Sequence, residues 1–294
     1  MCNKEKCQKI SIDEKERKVT AECVILVAKD FTMKGTDRMP EMDYELYMDT
    51  AVLAGKIMLE SNAETYRVEE TVTRILQMTN LELIDALALT TGLIATLDSP
   101  DMDAITVVKR IPTRSTNLNK ITKVNDVSRQ FTSGSITIQE AYYALQNIDE
   151  MQYHRWQQDF AMAAFVQATL VMYGGSLVDF LYLIPVSLLV SLVVHYGERW
   201  RIRAFILDMI ASFFIALSTT IITGLVGIPL QGDLMIISAI MQLLPGTAMT
   251  NGVRDIFRGD YTSGGAKILE AFMIAIFIAI GIGLGLVLGG QIIR

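Results

Sequence analysis

The chain reads as an α-helical polytopic membrane protein with about five transmembrane helices and an N-terminal cytoplasmic α+β domain. Three observations carry that reading. From residue 160 onward the sequence is a series of long apolar segments joined by very short polar links, whereas residues 1–155 hold most of the charge. The polar first half alternates between helical and strand periodicity. In the second half, Lys and Arg cluster in every other joint, as in a chain threaded through a bilayer. With 294 residues, 51% of them hydrophobic, and a mean hydropathy of +0.35, there is room for one soluble domain plus one membrane domain. The division we expect is a tail over 1–45, a cytoplasmic α+β domain over 46–155 and a transmembrane domain over 156–294.

The tail is charged, has one apolar patch at 23–28 and lacks the apolar core of a signal peptide. Its three cysteines, Cys2, Cys7 and Cys23, have no CxxC spacing and no neighbouring histidine, so they read as free thiols in a reducing compartment. From 45 to 79 the pattern is an amphipathic helix. Ala54, Ile57, Met58, Val68, Val72 and Leu76 form one face, and Lys56, Glu60, Glu64, Arg67, Glu70 and Arg74 the solvated other. Strands are predicted at 83–90 and 92–98, forming a hairpin, and at 104–111, stopped by Pro112. Helices follow at 118–133 and at 138–149, the second with Thr137 as its cap, and then a charged connector over 149–159.

A spanning helix needs about 20 apolar residues to cross a core of roughly 30 Å. The candidate spans are 160–173, which needs flanking residues to reach that length, then 177–196, 204–228, 234–250 and 268–290. The joint after the second span holds Arg199, Arg201 and Arg203, and the joint after the fourth holds Arg254, Arg258 and Lys267. The other two joints, 174–176 and 229–232, have neither Lys nor Arg. Positive joints belong inside, which predicts a cytoplasmic N-terminus and an outside C-terminus.

The strongest local signal for chemistry is Pro245-Gly246-Thr247-Ala248-Met249-Thr250-Asn251-Gly252 at the end of the fourth span. Pro and Gly break the helix there, and broken helices in transporters offer freed backbone and helix ends to substrates. On that reading Gly246, Thr247, Thr250 and Asn251 bind substrate and Arg254 holds its carboxylate; on the other, this is an ordinary helix end and Arg254 is a topogenic charge. Among acidic residues, Asp179 and Asp208 are candidates for proton coupling, because ionisable groups at depth are paired or functional. Asp208 has Arg201 and Arg203 nearby in sequence, and Asp179 has no basic neighbour. Glu270 reads as an ion pair with Lys267, three residues before it, and Asp233 as a helix cap. Gly281, Gly285 and Gly289 make a stripe for close helix contact, internal or intersubunit. A net charge of −6 argues against nucleic acid as a partner. With no P-loop and two histidines, His154 and His195, no cofactor or metal is expected.

Two stretches resemble a known family. Glu60-Ser61-Asn62-Ala63-Glu64-Thr65-Tyr66-Arg67-Val68-Glu69-Glu70 is similar to the opening signature of the threonine/serine exporter family. Residues 245–255 with Gly259-Asp260 and Ser263-Gly264 resemble that family's signature near its fourth span. The resemblance covers roughly 46–290 and implies export of small polar metabolites across the cytoplasmic membrane. It implies a soluble-domain motif at Glu64, Tyr66, Arg67 and Glu70. It also implies an arrangement in which a five-span subunit works with a second, smaller membrane subunit, as in a two-component succinate exporter. Homo-oligomers are a further expectation. The function expected is thus a subunit of a secondary transporter, not an enzyme, exporting carboxylate-bearing metabolites such as threonine, serine or succinate. The alternative is a membrane-anchored enzyme or sensor acting through the soluble domain.

Overall fold

Apolar periodicity becomes two separate cores in the computed structural model, which describes residues 43–100, 102–148, 153–200 and 202–293. The readings of the tail, its apolar patch, Cys2, Cys7 and Cys23 lie outside the described residues, as does Arg201.

The first core belongs to helices α1 (Tyr44–Glu60), α2 (Thr65–Leu76), α3 (Leu118–Thr132) and α4 (Ile138–Gln146) and to a three-stranded sheet. The strands β1 (Leu83–Leu89), β2 (Gly92–Ser99) and β3 (Met102–Arg110) are antiparallel in the order β1-β2-β3. Leu89 pairs with Gly92 across the predicted hairpin turn. Alternation along the central strand turns Leu93, Ala95 and Leu97 inward, where they meet Met48, Met58, Val68, Val72 and Leu76. Thr137 caps α4 in a reciprocal capping box, its backbone N–H donating to Glu140 at 2.8 Å.

The single helix expected over 45–79 is instead two, α1 and α2, followed by a short 3₁₀ turn over Gln77–Thr79. Asn62 sits in the left-handed region (φ 61°), which Asn tolerates better than most residues. The turn exposes the carbonyls of Glu60 and Ser61, which accept from Ser115 and Asn117 at 2.9 and 3.2 Å, so the 111–117 segment is pinned beside it.

The second core belongs to α5 (Arg155–Met172), α6 (Leu177–Arg199), α7 (Ala204–Leu225), α8 (Gly232–Ile240), α9 (Gly246–Phe257) and α10 (Tyr261–Ile293). Val166, Leu170, Leu183, Val190, Ile215 and Met235 are at its centre. Among the described residues, three helices are long and apolar enough to cross a membrane: Leu177–Gly197, Ala204–Leu225 and Tyr261–Ile293. Their outer faces expose Leu181, Leu188, Phe272 and Val287, as a lipid-facing surface would. The fourth segment is not one continuous helix. Its first piece, α8, is about 14 Å long at 1.5 Å per residue, under half of a roughly 30 Å core. The chain then turns over 241–245 and restarts as α9.

The glycine stripe is used inside the chain. Gly281, Gly285 and Gly289 face Ser212, Ala216 and Thr220 of α7, and a Cβ at Gly285 would lie 2.6 Å from the Phe213 carbonyl oxygen.

Candidate functional site

The turn between α1 and α2, the 111–117 segment and the helices on either side of 258–260 converge on one place. Both signature stretches meet there.

Helix α9 carries Thr247, Asn251 and Arg254 and is capped by Arg258, at steps of four, three and four, which puts all four on one face. Each has a counterpart in the sheet-bearing half. Thr247 Oγ1 shares a hydrogen bond with Thr116 Oγ1 at 3.4 Å. Asn251 Nδ2 donates to the Asn62 carbonyl at 3.1 Å. Arg254 forms an ion pair with Glu64. The Arg258 guanidinium stands 3.3 Å above the centre of the Tyr66 ring. Asn62 Nδ2 also donates to Thr116 Oγ1 at 3.3 Å, so the four counterparts form a connected strip. Glu64 is therefore not on a solvated helix face as its periodicity suggested. It lies in the break before α2, its side chain 9% exposed against 50% for Arg254.

The opposite face of α9 meets α10. Gly252 and Gly264 let the two backbones touch, since a Cβ at Gly264 would lie 2.7 Å from the Gly252 carbonyl oxygen. That approach buries an ion pair in which Lys267 Nζ donates to Asp255 Oδ2 at 2.7 Å, the side chains being 2% and 0% exposed. Asp255 Oδ1 and the nearby Ser263 Oγ have no hydrogen-bond partner among the described residues. The pairing expected between Lys267 and Glu270 is not formed. Lys267 turns inward, and Glu270 takes Arg114 at 2.6 Å instead, a second tie between the halves.

The other expected site residues are distributed as follows. Gly246 opens α9, its N–H donating to the Leu244 carbonyl at 2.8 Å. It borders an apolar groove of about 500 Å³ whose lining includes Pro245, Met249 and Phe272. The Thr250 hydroxyl is turned back onto the Gly246 carbonyl at 2.8 Å, off the docking face. Arg67 is half-buried on α2, and Glu70 is exposed and paired with Arg74 one turn on. Asp179 is buried far from this cluster in the fold. Its Oδ2 accepts from the Ser176 N–H at 2.9 Å and hydroxyl at 2.7 Å, and its Oδ1 from the Gln231 N–H at 2.9 Å. It thereby ties the start of α6 to the start of α8. Asp208 is half-buried in α7, with no hydrogen bond or ion pair among the described residues.

Sequence reasoning missed Asp255, Lys267, Asn62, Thr116 and Glu69. Glu69 accepts from the Ala88 N–H at 2.9 Å. Burial pushes its pKa above the ordinary carboxylate value; the Ala88 hydrogen bond opposes that, and the nearby charges of Asp260, Asp85 and Asp255 reinforce it. Asp255 closes the quoted 245–255 stretch, and Asn62 and Glu69 lie in the quoted 60–70 stretch; those are the signals available, and nothing local marks Thr116.

Comparison with known proteins covers the same region. The family model described as "Putative threonine/serine exporter" matches residues 49–289. A "Probable threonine/serine exporter" of Mycobacterium tuberculosis is 20% identical over 245 residues, 81% of this chain and 45% of its own length. A "Probable succinate transporter subunit YjjP" of Klebsiella aerogenes is 20% identical over 240 residues, 79% of this chain and 90% of the relative. An uncharacterized protein of Schizosaccharomyces pombe is 25% identical over 202 residues, 65% of this chain and 23% of its own. The chain thus spans about half of the mycobacterial relative and about a quarter of the yeast one. No solved structure matches it.

Proposed function

The chain belongs to the threonine/serine exporter family, a family of membrane transporters and not of enzymes, and from that premise we propose that it is one subunit of a secondary exporter for small carboxylate-bearing metabolites. Threonine, serine and a dicarboxylate such as succinate are the candidate substrates, after the relatives' names. The observation that carries the reading is the polar face of α9, which emerges from an interrupted segment with Thr247, Asn251 and Arg254 in line. A guanidinium offers a carboxylate two parallel N–H donors, and the hydroxyl and amide beside it suit a substrate's remaining polar groups. The start of α9 adds backbone N–H groups without an intrahelical acceptor, next to the apolar groove.

In this reading residues 46–155 are a cytoplasmic domain, 156–294 a transmembrane domain, and the chain crosses the plasma membrane five times. Helix α5 is the first crossing and residues 234–250, interrupted at 241–245, the fourth, which leaves the N-terminus inside and the C-terminus outside. The two joints without Lys or Arg meet through Asp179 and Gln231, which supports placing them on one side. Asp208, lacking a partner among the described residues, is the group best suited to carry a coupling proton, while Asp179 is the clamp that its three accepted hydrogen bonds describe. A second, smaller membrane subunit would complete the pathway, since the mycobacterial exporter is about twice the matched length.

The test is efflux of labelled threonine, serine and succinate from the native host with and without the gene, followed by Asn251→Ala and Arg254→Ala. We expect one compound to be retained in the deletion strain. Both substitutions should abolish its export at unchanged protein abundance. Export retained in both variants would refute the site.

A further inference from the structure

Each polar group assigned to substrate on α9 is already engaged, and by groups of a particular chemistry. Arg254 holds a carboxylate, Glu64. Asn251 holds a carbonyl oxygen, that of Asn62, at 3.1 Å. Thr247 meets a hydroxyl, that of Thr116, at 3.4 Å. A hydroxyamino acid would present a carboxylate and a hydroxyl, and a small diacid a second carboxylate whose oxygens can take the place of the carbonyl. We infer that the strip Asn62–Glu64–Thr116 is an internal substitute for the substrate, which a cytoplasmic substrate carboxylate must displace from Arg254 before export. The inference rests on the α9 site proposed above.

Three features make displacement reasonable. Arg254 is half exposed, so an incoming carboxylate can approach one side of the guanidinium before Glu64 leaves the other. Arg258 on the Tyr66 ring and Arg114 on Glu270 pair across the same docking surface without touching the substrate groups; both contacts open when the strip leaves and re-form to return it to one register when the substrate has gone. The strip itself is rigid: Asn62 donates to Thr116, and Ser115 and Asn117 donate to the carbonyls before Asn62, so the three mimicking groups move together. A binding-competent state populated only when the strip is off lowers apparent affinity by the fraction of time it is off.

Removing the competing charge should therefore tighten binding. In inside-out membrane vesicles containing the full chain and its native partners, uptake of labelled serine, threonine and succinate reports export from the cytoplasmic face. Glu64→Gln keeps the side-chain shape and removes the charge. The half-saturating concentration should fall by roughly fivefold, the effect of losing a partly exposed ion pair, with no gain in maximal rate. Glu64→Asp should restore the parent value. A half-saturating concentration that is unchanged or higher in Glu64→Gln would overturn the inference.

A second measurement does not depend on that variant. With Cys2, Cys7 and Cys23 replaced by serine, Arg114→Cys and Glu270→Cys can be bridged by a bifunctional maleimide about 10 Å long; the Arg114–Glu270 contact itself is 2.6 Å. The bridge should arrest export relative to the same protein treated with a monofunctional maleimide. Saturating substrate should slow bridge formation. Equal export with and without the bridge would sink the inference. If Arg254→Ala abolishes export while Glu64→Gln and the bridge have no effect, the α9 site stands and the displacement idea alone falls. If Arg254→Ala exports normally, both fall.

Discussion

Lys267→Met tests the interior of the site most sharply. Methionine keeps most of the lysine stem and removes only the ammonium. In the parent that ammonium lies 2.7 Å from Asp255 Oδ2, with both side chains excluded from solvent. Among the described residues the other carboxylate oxygen has no hydrogen-bond partner, so removing Lys267 takes away the one charge that balances Asp255 there. A buried charge left unpaired in this way costs about 3–5 kcal/mol, and Asp255→Leu should cost a similar amount by stranding the lysine. The double substitution Asp255→Leu/Lys267→Met removes both charges, and such replacements are about neutral or stabilising by up to about 4 kcal/mol. The coupling between the two sites should therefore be at least about 6 kcal/mol, the sum of the two single costs, and favour the double variant. SDS titration of the detergent-purified full chain, read by the fluorescence of Trp156 and Trp200, supplies the midpoints. Single variants within about 1 kcal/mol of the parent, or a double variant no better than the singles, would show that the pair is not dry. Salt gives an independent check: the midpoint of the parent should be indifferent to ionic strength at this pair, because a buried contact is little screened.

Two further outcomes follow from geometry already described. Gly285→Val should prevent accumulation of folded protein, since even a Cβ would sit 2.6 Å from the Phe213 carbonyl oxygen, whereas Gly283→Ala meets nothing within 4 Å and should match the parent; overpacking of this kind costs about 1–3 kcal/mol, readable as detergent-stable yield on size-exclusion chromatography. Glu69 has its folded pKa raised above its unfolded value, so its contribution is favourable below the unfolded pKa and is lost as pH rises through the folded one. Glu69→Gln, which can still accept from Ala88, should raise the melting temperature at pH 7, and that gain should vanish near pH 4; an equal gain at both values would contradict the assignment.

Much of this fold is legible in the sequence because single-period patterns mark it. The alternation of Leu93, Ala95 and Leu97, the Thr137 cap and the runs that become α6, α7 and α10 each depend on near neighbours alone. The break at Asn62 is not legible, because spacing of three and four continues across it in Met58, Ser61, Thr65 and Val68 and only backbone conformation changes. Lys267 misleads for a related reason. A lysine three residues from a glutamate on a helix looks like a surface pair, and nothing nearby announces an aspartate twelve positions back with glycines that draw it in. Of the candidate site, the α9 residues can be picked out locally as a broken helix with polar side chains. Their counterparts at 62–66 and 114–116 cannot, because the contacts span up to 189 residues.

The clamp at Asp179 has a mechanical consequence. Two hydrogen bonds from Ser176 fix the Asp179 carboxylate and a third, from the Gln231 N–H, ties the start of α6 to the loop ahead of α8, while the glycine stripe keys α10 onto α7. One end of the interrupted segment is thus an anchored pivot, and α7 with α10 is a single slab. Between them α8 and α9 form a jointed arm, with its elbow at 241–245 and its far end keyed to α10 through Gly252, Gly264 and the Asp255–Lys267 pair. Any rearrangement that leaves the pivot, the slab and that key intact must be taken up as bending at the elbow, so Asn251 and Arg254 travel with the slab while the start of α8 stays behind.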